Sequence, residues 1–597
     1  MKIIFLAETP QNIVSPFAIY KHDEVLAGHA DYINIREIIQ NRGDEWLDEI
    51  NKSFARLSSK FLRFTRWWWV AGMSRLDARP WAQEQLFKPL FFARAFLEWL
   101  SVHQDVEEVF LIGCPREVAS YLKEFKEDLV MKRDKQWTPR VVSLFKYLFI
   151  AVLKLLKNAV HILRHHLFRK ASFIKSDVLV LYESVTNVSL ASGYKFHYDG
   201  LFDALSVKKN VSIVYGCIDS VFSPVKNFRR EIDEKVFFVI DNIGFGGFLK
   251  SIFLNIYLIF LTGWISLTKN SCQFGKYESF HFWPNYLLNE LSRSFFLSQI
   301  GSYYALKNIF RRHLYQCVIS TYEEKMIERA ALFSCREAGI PVIGYTPHPQ
   351  HSLALCLRNV HEPYAPKPDR YAVCGSKYVD YFLSWGNKSP DSITVWGSKK
   401  SLSRDLKVKS LSRKNLKVLV LISHPNELKV FHSWLRAEQR LTYGVRYFLR
   451  IYQAVNSRIF SEEINSMTGQ FNCVEEIHGD FKEDVDVSDL AVFCGTSAGL
   501  LAVNYGLISI HLGLDDFFKI NPCFNDLSSM LTCASAAQFA DRLDEVCGLD
   551  ENSMGEVYRR QKEFVDQVFS PIQELTIERD IVAANRRAFD PCICASK

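Results

Sequence analysis

The chain lacks the signatures of several common chemistries. It has no G-x-x-x-x-G-K-[ST] and no G-x-G-x-x-G, which argues against P-loop and dinucleotide binding. No long Lys/Arg run appears and the net charge is only +7 over 597 residues, so nothing points to nucleic acid. The 14 cysteines are scattered. Only Cys592 and Cys594 lie close together, at a spacing unlike a metal finger, so a reducing compartment and no metal centre are expected. The N-terminal run MKIIFLAETPQ has neither the long apolar core nor the cleavage site of a signal peptide and is expected to be a first β-strand. No internal repeat is found.

What is present is an ordinary globular composition, 48% hydrophobic and 23% charged, with aromatics raised to 14%. The length predicts at least two domains. The densest signal runs from Phe493 to Gly513. An apolar strand, Leu490–Cys494, ends in the turn Gly495-Thr496-Ser497-Ala498-Gly499. A short helix follows, then Gly506 and a second apolar strand, Leu507–Leu512. Such a strand–turn–helix sets backbone N–H groups and two hydroxyls where an anion is favoured. The plain alternative is a βα connection with Thr or Ser as N-cap.

Further apolar runs predict strands at Lys2–Ala7, Glu108–Ile112, Val178–Tyr182, Val211–Tyr215, Val236–Ile240, Cys317–Thr321, Pro341–Tyr345, Tyr371–Cys374, Ile393–Trp396, Val418–Ile422 and Val445–Ile451. Their alternation with helical segments implies an α/β protein built on parallel sheets. The polar, basic, Ser-rich stretch 397–416 predicts a linker between an N-terminal α/β domain (1–396) and a C-terminal one (417–575), with 576–597 as a tail.

Two inserted stretches stand apart. Val141–Lys170 is an apolar helix punctuated by Lys146, Lys154, Lys157, Arg164, Arg169 and Lys170, with no acidic residue. That pattern suits an anionic membrane surface. About 248–268, the run SIFLNIYLIFLTGWISLT is at the lower edge of spanning length, weakened by Asn255 and Gly263, and is expected to be buried or interfacial.

Polar residues cluster at predicted strand ends. Glu323 and Glu324 follow the strand Cys317–Thr321, with Glu328 a turn further on, suited to a general base or merely to complementing a helix dipole. His348 and His351 follow Pro341–Tyr345. Ser423-His424-Pro425 follows Val418–Ile422, and Arg450 lies near the end of Val445–Ile451, where His and Arg suit a phosphate. Asp484 and Asp486 form a D-x-D, but they precede their strand and are not read as a metal site. Trp67-Trp68-Trp69 is read as an apolar anchor.

Together these residues resemble the bacterial surface-carbohydrate biosynthesis proteins of O-antigen and capsule loci, with a GT-B glycosyltransferase architecture. Trp67-Trp68-Trp69 is similar to their N-terminal aromatic signature. Tyr322-Glu323, Glu328-Arg329, Gly344-Tyr345 and His348 resemble their Y-E…W-E…G-Y-Q-H pattern. Thr496-Ser497, Gly506 and Asn521-Pro522 resemble their T-S…G-P…N-x-S-P pattern. The chain departs from that pattern at Ile327, at Thr346-Pro347, at Tyr452-Gln453 and at Asn504, where a Glu is common.

The resemblance implies two Rossmann-type domains facing a cleft, an acceptor side with Glu323 or Glu328 as base beside His348, and a donor side of His424, Arg450, Gly495, Thr496, Ser497 and Ala498. It implies a nucleotide-sugar donor, a CMP-linked one among the options, a surface-polysaccharide or lipid-linked glycan acceptor, no cofactor and no metal. The implied location is cytoplasmic, peripheral on the inner face of the inner membrane. A GT-B-fold epimerase, a polyol-phosphate transferase and a non-catalytic scaffold are the alternatives.

Overall fold

The computed structural model describes short pieces before residue 174 and, beyond it, principally residues 174–183, 211–218, 235–267, 296–322, 326–349, 367–384, 388–401, 410–423, 425–451, 458–513 and 526–588. Glu323, His424, His351, Asn521, Tyr452-Gln453 and the Trp67–Trp69 run lie outside the described residues.

The first sheet holds β1 (Lys2–Leu6), β2 (Ala18–Lys21), β3 (Tyr32–Asn34), β4 (Glu108–Ile112) and β5 (Val130–Arg133), in the order β3-β2-β1-β4-β5. It is mixed: β1 runs parallel to β4 but antiparallel to β2. So the region expected as one N-terminal α/β domain carries more than one sheet, the first of them not purely parallel.

The second sheet is built from β6 (Val178–Glu183), β7 (Ile213–Ile218), β8 (Val236–Phe238), β11 (Cys317–Thr321), β12 (Val342–Thr346), β13 (Arg370–Val373) and β14 (Ile393–Val395). A small hairpin of β9 (Cys272–Phe274) and β10 (Tyr277–Ser279) intervenes in the chain. The third sheet contains β15 (Leu416–Ile422), β16 (Val445–Ile451), β17 (Val474–Glu476), β18 (Leu490–Phe493), β19 (Ile508–Leu512) and β20 (Leu531–Cys533). Every neighbouring pair in both sheets is parallel. Both faces of such sheets are covered by helices, which is why β11, β12, β18 and β19 are buried along their whole length.

The helices that matter below are α1 (Gly244–Leu267), α2 (Phe296–Arg312), α3 (Met326–Ala338), α4 (Lys377–Ser384), α5 (Pro425–Ala437), α6 (Arg458–Gln470), α7 (Phe481–Asp486), α8 (Ala498–Asn504), α9 (Ala536–Gly548), α10 (Glu551–Val568) and α11 (Glu574–Ala588).

Strand order fixes where ligands bind. The third sheet reads β17-β16-β15-β18-β19-β20, and the second reads β14-β13-β12-β11-β6-β7-β8. Each is a doubly wound order that reverses once, between β15 and β18 in the third sheet and between β6 and β11 in the second. Ligands of open parallel sheets sit outside the carboxyl ends of the strands at that reversal. The fold is therefore two Rossmann-type parallel-sheet units, as expected of a GT-B-like chain.

Residues 576–588 are not a tail. After α10 the chain turns at Ser570–Gln573 and returns to the second sheet as α11. Ser570 N donates to Cys374 O (2.9 Å), Ser398 N to Ser570 O (2.8 Å) and Gln573 N to Trp396 O (2.9 Å). Gly397 has φ +81°, and a Cβ there would lie 2.1 Å from Pro571 O, so the crossing requires glycine. Ile577, Ile581 and Ala584 of α11 then join the core under β6, β11 and β12. Asp580, with no exposed surface, takes hydrogen bonds from Arg370 Nη1 (2.9 Å) and Trp396 Nε1 (2.9 Å). A helix contributed by the last part of the chain thus completes the core of the second sheet.

Candidate functional site

The Gly495–Ala498 turn, expected on the donor side, lies at the reversal of the third sheet. β15 delivers Ser423 at its carboxyl end and β18 delivers Gly495–Ala498 beside it. The two ends are joined by a side chain that a sequence reading does not single out. Glu427, in the first turn of α5, accepts from Gly495 N (3.0 Å), from Ser423 N (2.7 Å) and from Ser423 Oγ (3.0 Å). An internal carboxylate therefore already uses one of the N–H groups expected to hold phosphate. Thr496 Oγ1 accepts from Ala498 N (3.2 Å), capping α8, while Ser497 makes no side-chain cap bond.

The same residues, Gly495 to Gly499, also spell G-x-S-x-G, a pattern that a reading centred on the anion passes over. A nucleophile elbow strains its serine at a sharp strand-to-helix turn. Ser497 instead has ordinary helical angles, φ −67° and ψ −6°, so the turn is not an elbow. Gly499 is forced by packing, because a Cβ there would lie 2.0 Å from the Phe493 ring.

Arg450 does not point free into the reversal point. Its guanidinium pairs with the Asp484 carboxylate, donates to Gly479 O (2.8 Å) and lies over the Phe481 ring at 5.4 Å. It ties β16 to α7, and the D-x-D contributes Asp484 to that bond.

His511 is another residue that sequence reasoning missed. It stands near the carboxyl end of β19, in register with Phe493, and its ring packs edge-on against Phe493 at 5.3 Å. It is 5% exposed, and neither ring nitrogen has a hydrogen-bond partner among the described residues. Burial holds its pKa down at about 4, in part offset by the Cys494 backbone. The imidazole is neutral at pH 7. A lone His in an apolar strand reads as core, so only its position at this sheet edge marks it.

Of the carboxylates expected on the acceptor side, Glu328 lies among the described residues, after β11 at the reversal of the second sheet. Glu328, in the first turn of α3, is 3% exposed and accepts from Thr321 Oγ1 at 2.6 Å, which fastens the helix to the strand end. His348 follows β12. Its backbone carbonyl accepts from the Tyr378 hydroxyl, and its Nδ1 lies 2.8 Å from Lys400 Nζ.

Lys400 comes from the basic segment read as a linker and was not singled out there. Its ammonium lies 5.9 Å from the centre of the Phe569 ring, and its charge opposes the burial that pushes the Cys374 thiol up to about 12. Asn504, at the end of α8 and fully buried, donates to Lys400 O at 2.6 Å. The structure thus brings His348, Lys400, Cys374 and Asn504 together where the second sheet meets the unit of the third. Among the described residues, Glu328 and the Gly495–Ala498 turn are not in direct hydrogen-bond contact.

These features define a class: an α/β protein with two doubly wound parallel sheets. The chain matches no protein-family model and no curated protein sequence. Solved structures to which it is similar include an S. aureus MnaA–UDP complex (10% identity, 68% of this chain and 95% of that one, TM-score 0.38). Another is the lipopolysaccharide outer core galactosyltransferase WaaB (12% identity, 68% and 99%, TM-score 0.37). A third is an alpha,alpha-trehalose-phosphate synthase (UDP-forming) from Burkholderia vietnamiensis (10% identity, 70% and 98%, TM-score 0.39). At that distance the likeness carries no function, and the fold assignment rests on the strand orders above.

Proposed function

We propose that the chain is a GT-B-type glycosyltransferase that moves a sugar from a nucleotide-sugar donor to a surface-polysaccharide or lipid-linked glycan acceptor at the inner face of the membrane. One observation carries this reading. Two residue sets chosen for different chemistry follow β11 and β18 in the sequence, and each of those strands borders the reversal of its sheet, where doubly wound sheets bind ligands. In this reading Glu323 takes the proton of the acceptor hydroxyl. Glu328, buried against Thr321, is a positioning residue for the start of α3. His348 with Lys400 supplies positive charge on the acceptor side. His424, Thr496, Ser497 and the N–H groups after Gly495 stabilise the charge that develops on the leaving nucleotide, with Glu427 holding the two strand ends in place. Arg450 acts through Asp484 rather than on phosphate.

Calorimetry with CMP, CDP, UDP and GDP on the full chain tests this. One nucleotide is expected to bind, with affinity falling about tenfold in Ser497→Ala or His424→Ala, the worth of one hydrogen bond to a charged group. Absence of binding to all four by folded protein overturns it.

A second reading, a non-catalytic scaffold, is favoured by the Glu427 carboxylate and the Asp484–Arg450 pair, which already satisfy groups that a donor phosphate needs. Glu323→Gln separates the two readings. A transferase loses turnover and keeps its nucleotide, whereas a scaffold keeps its cellular role.

A further inference from the structure

α1 is long and apolar enough to cross a bilayer by composition, yet it is built as a half-buried helix. Its inner face carries Phe248, Ser251, Asn255, Leu258 and Leu261, all buried, and packs against α2. Gly247 allows the close approach, since a Cβ there would sit 3.1 Å from Tyr304 Cβ. Its outer face is different. Phe245 (62% exposed), Leu249, Phe253 (68%), Ile256, Tyr257 and Phe260 (70%) recur every three or four residues and form one continuous outward stripe. A helix in water normally shows the reverse arrangement. Lys250 is the one charged residue of α1, and no acid interrupts the helix.

The same inversion occurs in the described helical residues between 149 and 163. Leu155 is buried, while Phe149, Val152, Leu153, Leu156, Val160 and Leu163 are exposed. Their spacing again places them on one face. The sequence around them, Val141–Lys170, holds only basic charges. Two exposed apolar faces, one of them set in an acid-free basic segment, match the two chemistries of a bilayer surface: an acyl boundary beneath anionic headgroups.

We propose that the outer face of α1, together with the described helical residues between 149 and 163, forms an in-plane docking surface for an anionic lipid membrane. α1 lies half-embedded along the bilayer rather than across it, because its inner face, with Ser251 and Asn255, is committed to α2. This rests on the membrane placement in the proposed function and names the surface that makes the contact; it stands whether or not the chain binds a nucleotide.

The test is co-sedimentation of the full chain with phosphatidylcholine vesicles, with and without phosphatidylglycerol. Binding is expected to need phosphatidylglycerol and to weaken with salt. The double variant Phe253→Glu/Phe260→Glu should lower the partition coefficient about 100-fold, the loss expected from two buried aromatic side chains. Lys154→Gln/Lys157→Gln should lower the phosphatidylglycerol preference alone. Circular dichroism and an unchanged melting temperature certify that the variants are folded. Alkaline carbonate should release the protein from cell membranes. Three results would overturn the proposal: no vesicle binding by folded wild type, resistance to carbonate, or a lipid-free dimer that Phe253→Glu/Phe260→Glu dissociates.

Discussion

At the scale of single residues, charge placement decides what the reversal point of the third sheet can do. Glu427 brings a carboxylate to the N–H of Gly495 and to Ser423, so the site's dipoles are organised around an internal anion. Asn504 shows how one departure from the resembling family is used. Its amide donates to the Lys400 carbonyl in a fully buried setting, where a glutamate would set a carboxylate against that oxygen. His511 makes a measurable prediction. Its folded pKa, about 4, lies below its ordinary 6.5, because burial disfavours the imidazolium. The unfolded chain takes up the proton first as pH falls, so this contribution is intact above pH 6.5 and is lost progressively down to about pH 4. Urea unfolding between pH 7 and 5 should show a slope reduced in His511→Gln relative to wild type by about 1.4 kcal/mol per pH unit below pH 6.5. Equal slopes would mean that the ring gains a partner in solution.

At the scale of elements, the turn between β18 and α8 depends on contact with the strand that precedes it. Gly499 sits over the Phe493 ring with no room for a methyl group. Gly499→Ala forces the ring or the helix start to move, and overpacking of this kind costs about 2 kcal/mol. Because Gly495–Ala498 leads directly into α8, nucleotide affinity should fall together with the melting temperature. A variant with an unchanged melting temperature and unchanged affinity would show that the helix start relaxes freely. The buried strands are legible for a related reason. Runs such as LKVLVLI in β15 are apolar at almost every position because both faces are covered, and each strand expected from such runs is present with its ends moved by a few residues. The missed strands, among them β17 (VEE) and β20 (LTC), are three or four residues long and carry too few apolar positions to show a period.

At the scale of the molecule, the two halves are held by the last part of the chain. α11 leaves the third-sheet unit and buries Asp580 against Arg370 and Trp396 of the second. Asp580→Ala strands a largely buried guanidinium and should destabilise the fold by about 3 kcal/mol. The loss should appear in the transition of the second-sheet unit in a thermal melt, and a melt identical to wild type would refute the coupling. A buried apolar cluster that runs from Val373 and Tyr378 to Val418, Val492 and Phe564 gives the same coupling from the other face.

The sequence by itself determined the α/β class, the parallel strands and the strand ends at which chemistry is expected, because apolar runs and turn residues are local signals. It also showed that Val141–Lys170 is basic and acid-free. Only the tertiary structure decided which strand ends are neighbours, since the order of a sheet is set by crossovers that no local pattern records. For the same reason it alone placed Glu427 on Gly495, Arg450 on Asp484 and Lys400 beside His348, pairs separated by 68, 34 and 52 residues. It alone made the final helix part of an earlier core and turned the apolar stripe of α1 outward, because burial is a property of what packs against a helix and not of the helix itself.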